Sequence, residues 1–348
     1  MRRTILFLTA ISALLFTDKS WAQQDIVSQI NETGTFEHWS VRCVEESDII
    51  GGEVKYLYEF FGSSADTTFT REPLDKPSDY HWRTNNVLAN VMGVIKVNCT
   101  VFPERRGDGW CARLETHVET VKALGINMDV VCQGALLIGD ITEPIRNTKD
   151  PMSKVLYGIP FSGRPKALVY DYKAEVGHST IRGTGFSRLK DMGYPDYPEI
   201  SIILQKRWED KDGNVHALRV GTGYEILKSD VDDWINGYRL EVKYGDITSD
   251  PDFEPYMDLN NDPDRAFHAI NSKGENVQVS EDGWADPGEE PNTLVIKFLA
   301  SSGQAFTAGS ATSCGWTMSI LRCNPRQVEI FSETPATFAD VQASIRQV

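Results

Sequence analysis

Short runs that alternate apolar and polar residues recur along this chain from end to end, separated by turn clusters, and this constrains the fold more than any other feature. Neighbouring side chains on a strand point to opposite faces, so such alternation calls for sheets buried on one side. In Trp110 to Thr120 the residues Trp110, Ala112, Leu114, Thr116 and Val118 fall on one face, and Cys111, Arg113, Glu115, His117 and Glu119 on the other. The run Val91 to Phe102 is placed to pair with it across Pro103 to Gly109. Ile200 to Trp208 and Val215 to Val220, joined by the turn residues Asp210 to Asn214, signal a second hairpin. Further strands are expected at Phe36 to Cys43, Val54 to Phe61, Val130 to Gly139, Ala167 to Glu175, Tyr238 to Tyr244, Thr293 to Ala300 and Trp316 to Cys323.

Long helical periodicity is missing. One short helix is expected over Asp264 to Ile270, and Phe338 to Gln347 reads as an amphipathic helix or a tail. Roughly a dozen strands suit an all-β, two-sheet β-sandwich of jelly-roll type. Two acidic, Pro- and Asp-rich stretches, Thr248 to Asp264 and Ser280 to Asn292, read as long surface loops. The expected organisation is a signal peptide over 1–22, one jelly-roll domain over 23–330 and a tail or short helix over 331–348.

The signal peptide rests on Arg2 and Arg3, an apolar run from Ile5 to Phe16, and small residues at Ser20 and Ala22. That run is too short to span a bilayer. Cutting after Ala22 leaves 32 basic against 49 acidic residues, a net charge of −17. Such a surface repels phosphate backbones and anionic headgroups, which argues against nucleic-acid or membrane-surface work. With Gln23 after the cut and no cysteine beside it, no acceptor for a lipid anchor is expected. The chain reads as secreted or periplasmic, without membrane insertion.

Six cysteines in an exported chain favour disulfides over redox or metal chemistry. Cys99 and Cys111 fall on the two strands of the first expected hairpin and are predicted to pair, stabilising by about 3 kcal/mol on the chain-entropy model. Cys43 with Cys314 or Cys323 is the second expectation, leaving Cys132 for the remaining partner.

Signatures of familiar chemistry are missing. There is no G-x-S-x-G, H-E-x-x-H, P-loop or dinucleotide fingerprint, so neither cofactor nor metal is expected. Asp258-x-Asn260-x-Asp262-x-Asp264 begins like a calcium loop, but Pro263 and Ala269 stand where glycine and glutamate are needed, so it reads as a solvated loop. Asp210, Asp212 and Asn214 are explained by the hairpin turn. A glycosidase needs two flanking carboxylates, and Glu115, Asp171 and Glu175 on polar strand faces are the candidates, against a solvated-face reading.

Aromatic residues are more informative, because sugar rings stack on flat side chains while amides and charges meet their hydroxyls. Trp39, Trp234 and Trp316 lie in apolar alternation and read as core. Trp82, beside Arg83, Asn85 and Asn86, and Trp284, beside Asp282, Gly283 and Asp286, have the mixed surroundings of a binding platform, although burial is the commoner fate of tryptophan. Tyr194-Pro-Asp-Tyr197-Pro reads as a loop.

Several segments in order resemble the putative carbohydrate metabolism domain (PCMD) family of Bacteroidetes secreted and surface proteins. They are Phe36-Glu-His-Trp39, Trp82-Arg-Thr-Asn85, Gly109-Trp-Cys-Ala-Arg-Leu-Glu-Thr116, Gly134-Ala-Leu-Leu-Ile-Gly139, and Gly158-Ile-Pro-Phe-Ser-Gly-Arg-Pro165 running into Tyr172-Lys173. Ile200-Ser-Ile-Ile-Leu204 and Ser301-Ser302 with Phe306 and Gly309-Ser310 complete the match, over about residues 34 to 323. The resemblance implies a β-jelly roll acting in glycan binding or processing, with no settled catalytic residues. The chain lacks the acidic residue usual near Met318-Ser319.

The leading expectation is an exported, non-catalytic carbohydrate-binding jelly roll with a glycan ligand. Trp82, Asn85, Arg164, Lys173 and Trp284 are its expected ligand-binding residues, with Arg164 weighed more heavily as a structural hub. The runner-up is a glycan-active hydrolase or lyase using paired carboxylates. A protein-binding adhesion or scaffold module is the third reading, which keeps a protein partner open.

Overall fold

The computed structural model describes residues 25–60, 67–123, 126–147, 149–185, 188–310 and 317–329. The expected signal peptide, the C-terminal helix or tail, Cys314 and Trp316 lie outside the described residues. The fold is all-β, with two principal sheets packed face to face. In the larger sheet the strands run in the order Val155–Tyr157, Ala135–Ile141, Thr293–Leu299, Glu199–Glu209, Val215–Ile226, Asn276–Trp284 and His268–Ile270. The smaller has Val231–Glu241, Ala167–Ala174, Thr317–Glu329, Gly109–Ala123 and Val101–Arg106, with Ile126–Gln133 paired beside Gly109–Ala123.

Alternation explains how the sheets meet. Ile200, Ile202 and Leu204 from one sheet face Leu168, Tyr170, Tyr172, Ala112 and Leu114 from the other in one apolar cluster, with Leu294, Ile296 and Phe298 beside them. The chain steps between sheets at short turns, as a jelly roll requires. Among the described strands of these two sheets, one pair departs from antiparallel order: Asn276–Trp284 runs parallel to Val215–Ile226.

The step at Gly134 divides what the sequence presents as a single strand. Ile126–Gln133 belongs to the smaller sheet and Ala135–Ile141 to the larger. A Cβ at Gly134 would stand 2.7 Å from the Thr100 carbonyl oxygen and 2.9 Å from the Glu115 nitrogen, so only glycine lets the backbones approach this closely.

The second expected hairpin forms as read, with Trp208 opposite His216. Asp210 organises its turn by accepting from the Asp212 and Asn214 nitrogens, 2.9 Å each. The first differs. Val91 to Phe102 is not one strand, because Met92 and Gly93 both take positive φ (53° and 85°) in a two-residue turn between Val87–Val91 and Val94–Asn98. Methionine rarely adopts that conformation, so the turn leaves no signal in the sequence. Val101–Arg106 then pairs with Gly109–Ala123 through a turn at Gly107-Asp108, in a register that sets Glu104 opposite Cys111.

This register corrects the predicted Cys99 to Cys111 disulfide. Extending the pairing past Val101 and Leu114 carries Cys99 toward Thr116, well away from Cys111. Cys99 is a free thiol whose Sγ–H points at the Val101 carbonyl oxygen, 3.6 Å away. The expected helix over Asp264 to Ile270 is also corrected: His268–Ile270 is a strand hydrogen-bonded to Asn276–Gln278. Phe267 there packs on Tyr157 in the apolar cluster outside the larger sheet, a tertiary contact that overrides local helix preference. An unanticipated helix over 25–33 closes one end of the core, where Ile30 is buried and its carbonyl accepts the Trp82 indole N–H at 3.0 Å. Among the described residues no helix is long and apolar enough to cross a membrane.

Candidate functional site

Where the Val215–Ile226 strand ends, residues 227–230 carry the chain from the larger sheet into the Val231–Glu241 strand of the smaller one. A cavity of about 310 Å³ opens at this crossing, lined by Tyr172, Glu225, Ile226, Leu227, Lys228, Ser229, Val231 and Tyr256. That is near the lower end of the range for small-molecule sites. Tyr172 comes from Ala167–Ala174 and Tyr256 from a single 3-10 turn, Pro255–Met257, inside the first acidic loop.

The walls are built from tyrosines. The Tyr172 ring meets Tyr238 edge to face at 5.4 Å, and Tyr256 packs on Tyr224 at 5.2 Å. Tyr238 donates its hydroxyl to the Glu225 carboxylate at 2.9 Å, fixing the acid against one wall. Burial first, and then the hydrogen bond to Glu225 and its charge, raise the Tyr238 phenol above its ordinary value, so Tyr238 stays a donor. The Lys228 ammonium sits 5.8 Å from the Tyr256 ring centre. The site thus offers the Tyr256 ring, one carboxylate and one ammonium within a small concavity.

Tyr256 is held by an ionic network behind it. Arg219 and Glu281, both nearly inaccessible, form a buried pair, and Arg219 also reaches the Met257 and Asp258 carbonyl oxygens at 3.4 and 3.5 Å. Glu281 accepts the Asn260 backbone N–H at 2.6 Å. A second knot joins Glu199 to Lys297 at 2.6 Å and to Arg265 at 2.5 Å, and Arg265 donates to the Tyr224 hydroxyl at 2.7 Å. Burial pushes Glu199 up, but Lys297 and Arg265 outweigh it and hold the carboxyl below its usual range. Acidic-loop residues 255–265 are therefore fastened to the larger sheet, which fixes the wall of the cavity.

The residues singled out from the sequence lie elsewhere. Trp82 is fully buried, with its ring against Phe36 and Phe298, so it offers no face to a ligand; this corrects its reading as a platform. Asn85 is spent on the backbone, donating to the Gln133 carbonyl oxygen at 2.6 Å and accepting from Ala135 N at 2.8 Å. Arg164 is the structural hub expected, but its partners are the Glu289 and Pro287 carbonyl oxygens rather than a carboxylate, and it lies 3.9 Å over the Tyr244 ring. Lys173 follows Tyr172 on the strand and so points to the opposite face from the cavity. Trp284 is half-buried beside Arg219. It sits four strands across the larger sheet from Ala135–Ile141, which carries Trp82's strand, so the two tryptophans share no groove.

The three candidate acids do not form a catalytic pair either. Asp171 is fully buried, receiving Arg106 Nη1 and the Gly237 N–H at 2.7 Å each. Glu115 is engaged by Arg113 and His117, and Glu175 is exposed. Trp39 is core, as expected, whereas Trp234 is only half-buried under the Arg106 guanidinium. Among the described residues no group of three or more His, Cys, Asp or Glu could hold a metal ion. Asn260 of the half-motif donates to the Arg265 carbonyl oxygen instead.

The sequence reading missed Glu225, Lys228, Tyr238 and Tyr256. The one signal for Tyr256 was its place, with Phe253, among Asp, Glu and Pro, where a solvated loop needs no aromatic ring.

No family model matches this chain, and no curated protein matches it. Among solved structures it is similar to a protein of Bacteroides thetaiotaomicron described as "a putative glycoside hydrolase", at 16% identity over 84% of this chain and 72% of that one, with a TM-score of 0.44. A second so described, from Bacteroides vulgatus, is 15% identical over 67% of this chain and 78% of that one, with a TM-score of 0.39.

Proposed function

We propose that this chain is an exported carbohydrate-binding protein that holds a glycan in the tyrosine-lined cavity and does not cleave it. The observation that carries this is the composition of the cavity wall: Tyr256 supplies a face for the C–H surface of a sugar, the buried Tyr172 adds to the lining, and Glu225, Ser229 and Lys228 can meet its hydroxyls. Glu225 is the one carboxylate among the lining residues, whereas hydrolysis of a glycosidic bond calls for two acids about 5 to 10 Å apart across the sugar. Membership of the PCMD family and a secreted or periplasmic location belong to the same proposal, resting on the sequence motifs and the leader-like N-terminus.

Calorimetric titration with cellohexaose, xylohexaose and mannohexaose, followed by a reducing-end assay, tests this reading. Binding of at least one oligosaccharide is expected, weakened tenfold or more by Tyr256→Ala, with no new reducing ends. New reducing ends would overturn the non-catalytic reading. Unchanged affinity in a Tyr256→Ala protein that still melts cooperatively would remove the cavity as the site.

A further inference from the structure

The hairpin Glu199–Glu209 and Val215–Ile226 has the tyrosine cavity at one end, where Glu199 pairs with Ile226. At the other end, Trp208 stands opposite His216 and their rings stack, 5.4 Å between centres and 16° from parallel. Leu204 reaches the core, but Trp208, four residues on along the same face of the strand, does not: it is 43% exposed, and among the described residues no other tryptophan is exposed. The imidazole stacks on one side of the indole, and the surface that stays exposed is open to a ligand.

The stack is rigidly braced. His216 Nδ1 lies 2.7 Å from Asp282 Oδ2 and Nε2 lies 3.4 Å from Asp210 Oδ2. Asp210 is locked in its turn by Asn214, and Asp282 receives the Ser280 hydroxyl at 2.7 Å. Glu209 accepts from Ser272, and Lys206 is paired with Glu289. The histidine is therefore committed to two carboxylates. The carboxylates nearest the stack, Asp210 and Asp282, bracket the imidazole, and a carboxylate only accepts hydrogen bonds when ionised. A partner suited to the stack brings hydrogen-bond donors and a flat apolar face without negative charge, which describes a neutral pyranose ring; a sulfated, phosphorylated or uronic sugar would be repelled.

We propose that Trp208, braced by His216, is a second carbohydrate-contact site, selective for neutral sugar units of an extended glycan. It lies one strand length from the cavity, about 30 Å at ~3.4 Å per residue. One long chain can then engage both ends of the hairpin, whereas a short fragment engages one. The proposal stands on the exposed stack and its two carboxylates, so it survives if the tyrosine cavity proves not to bind.

The test uses the full chain in affinity electrophoresis through soluble hydroxyethyl cellulose, glucomannan and polygalacturonate, together with calorimetry on cellohexaose. Trp208→Ala is expected to lower retention by a neutral polymer tenfold or more, and Trp208→Phe, which keeps a flat ring, to lower it only about threefold. Polygalacturonate should not retard the wild type. A Trp208→Ala protein that melts cooperatively and is retarded like wild type by both neutral polymers would overturn the proposal. Should Trp208→Ala fail to fold, wild-type retention in both Trp208→Phe and His216→Ala would overturn it in the same way. Stronger retention by polygalacturonate than by the neutral polymers would overturn the assigned ligand class. Loss of retention in Trp208→Ala but not in Tyr256→Ala would leave this site standing and remove the cavity.

Discussion

The two faces of the larger sheet are built from the same strands and reach burial by opposite means. On the inner face Ile200, Ile202, Leu204, Leu294, Ile296 and Phe298 meet the second sheet in an apolar cluster. On the outer face Glu199, Ser201, Gln205, Arg219, Lys297 and Glu281 are buried as well, each at most 5% exposed, beside a smaller apolar cluster around Ile203, Val295 and Phe267. Apolar contact tolerates imprecision, because its free energy follows area rather than direction. A buried charge needs its partner in place. The outer face therefore fixes where the acidic loop sits, and the inner face supplies most of the adhesion between sheets.

Breaking the outer face by one partner should give the largest effect. Glu281→Ala leaves the Arg219 guanidinium buried without its carboxylate, and a loss of about 3 to 5 kcal/mol is expected in urea unfolding at pH 7. Arg219→Met with Glu281→Leu in one protein should recover most of that loss while loosening the 255–265 loop, seen as faster hydrogen exchange at Asn260 than at Ile202. A double variant as unstable as the single one would mean that the network adds net stability rather than position.

The inner face should respond differently. Leu294→Ala is expected to cost about 2 to 5 kcal/mol, by lost transfer energy and the cavity left behind. Its penalty should be the same at pH 7 and pH 4. The wild-type outer face should weaken over that interval: burial raises Glu281, but Arg219 outweighs it and holds the carboxyl below its ordinary value of 4.5. A depressed carboxylate contributes stability above the unfolded value and loses it as pH falls through the folded one. Equal pH dependence for Leu294→Ala and Glu281→Ala would erase the distinction between the faces.

A smaller effect is expected at His117 on the second sheet. Burial lowers its pKa, but Glu115 and Glu119 outweigh burial and raise it from 6.5 to about 9. Its stabilisation is complete below pH 6.5 and lost as pH rises through about 9. His117→Gln should therefore cost about 1 to 3 kcal/mol at pH 6 and almost nothing at pH 10, read from urea midpoints. A penalty that does not change with pH would mean that the histidine acts by packing alone.

Much of the architecture was legible because strand alternation is a local signal. Ala112, Leu114 and Thr116 are buried and Arg113, Glu115 and Glu119 are not, as their order in the chain implies. The Glu199 to Ile226 hairpin was legible for the same reason, with Asp210 to Asn214 supplying recognisable turn chemistry. The turn at Met92-Gly93 and the crossing at Gly134 were not, since each depends on what the backbone meets in space.

The candidate site was less legible still. Glu199, Ser201 and Gln205 alternate with isoleucine and leucine, and by period alone they belong to a solvent face. Covering that face is a loop some fifty residues away in sequence, whose own acidity and prolines read as exposed. Trp82 failed as a platform because polar neighbours along the chain are not neighbours in the fold: its ring points inward while Arg83 beside it turns to Asp140 and Glu59. The sequence by itself determined that the chain would make two sheets with one apolar interface, since that follows from side chains taken two at a time along a strand. Only the tertiary structure decided that Tyr172, Glu225 and Tyr256 share a cavity and that Trp208 stands exposed, because those placements depend on the length and packing of elements far apart in the chain.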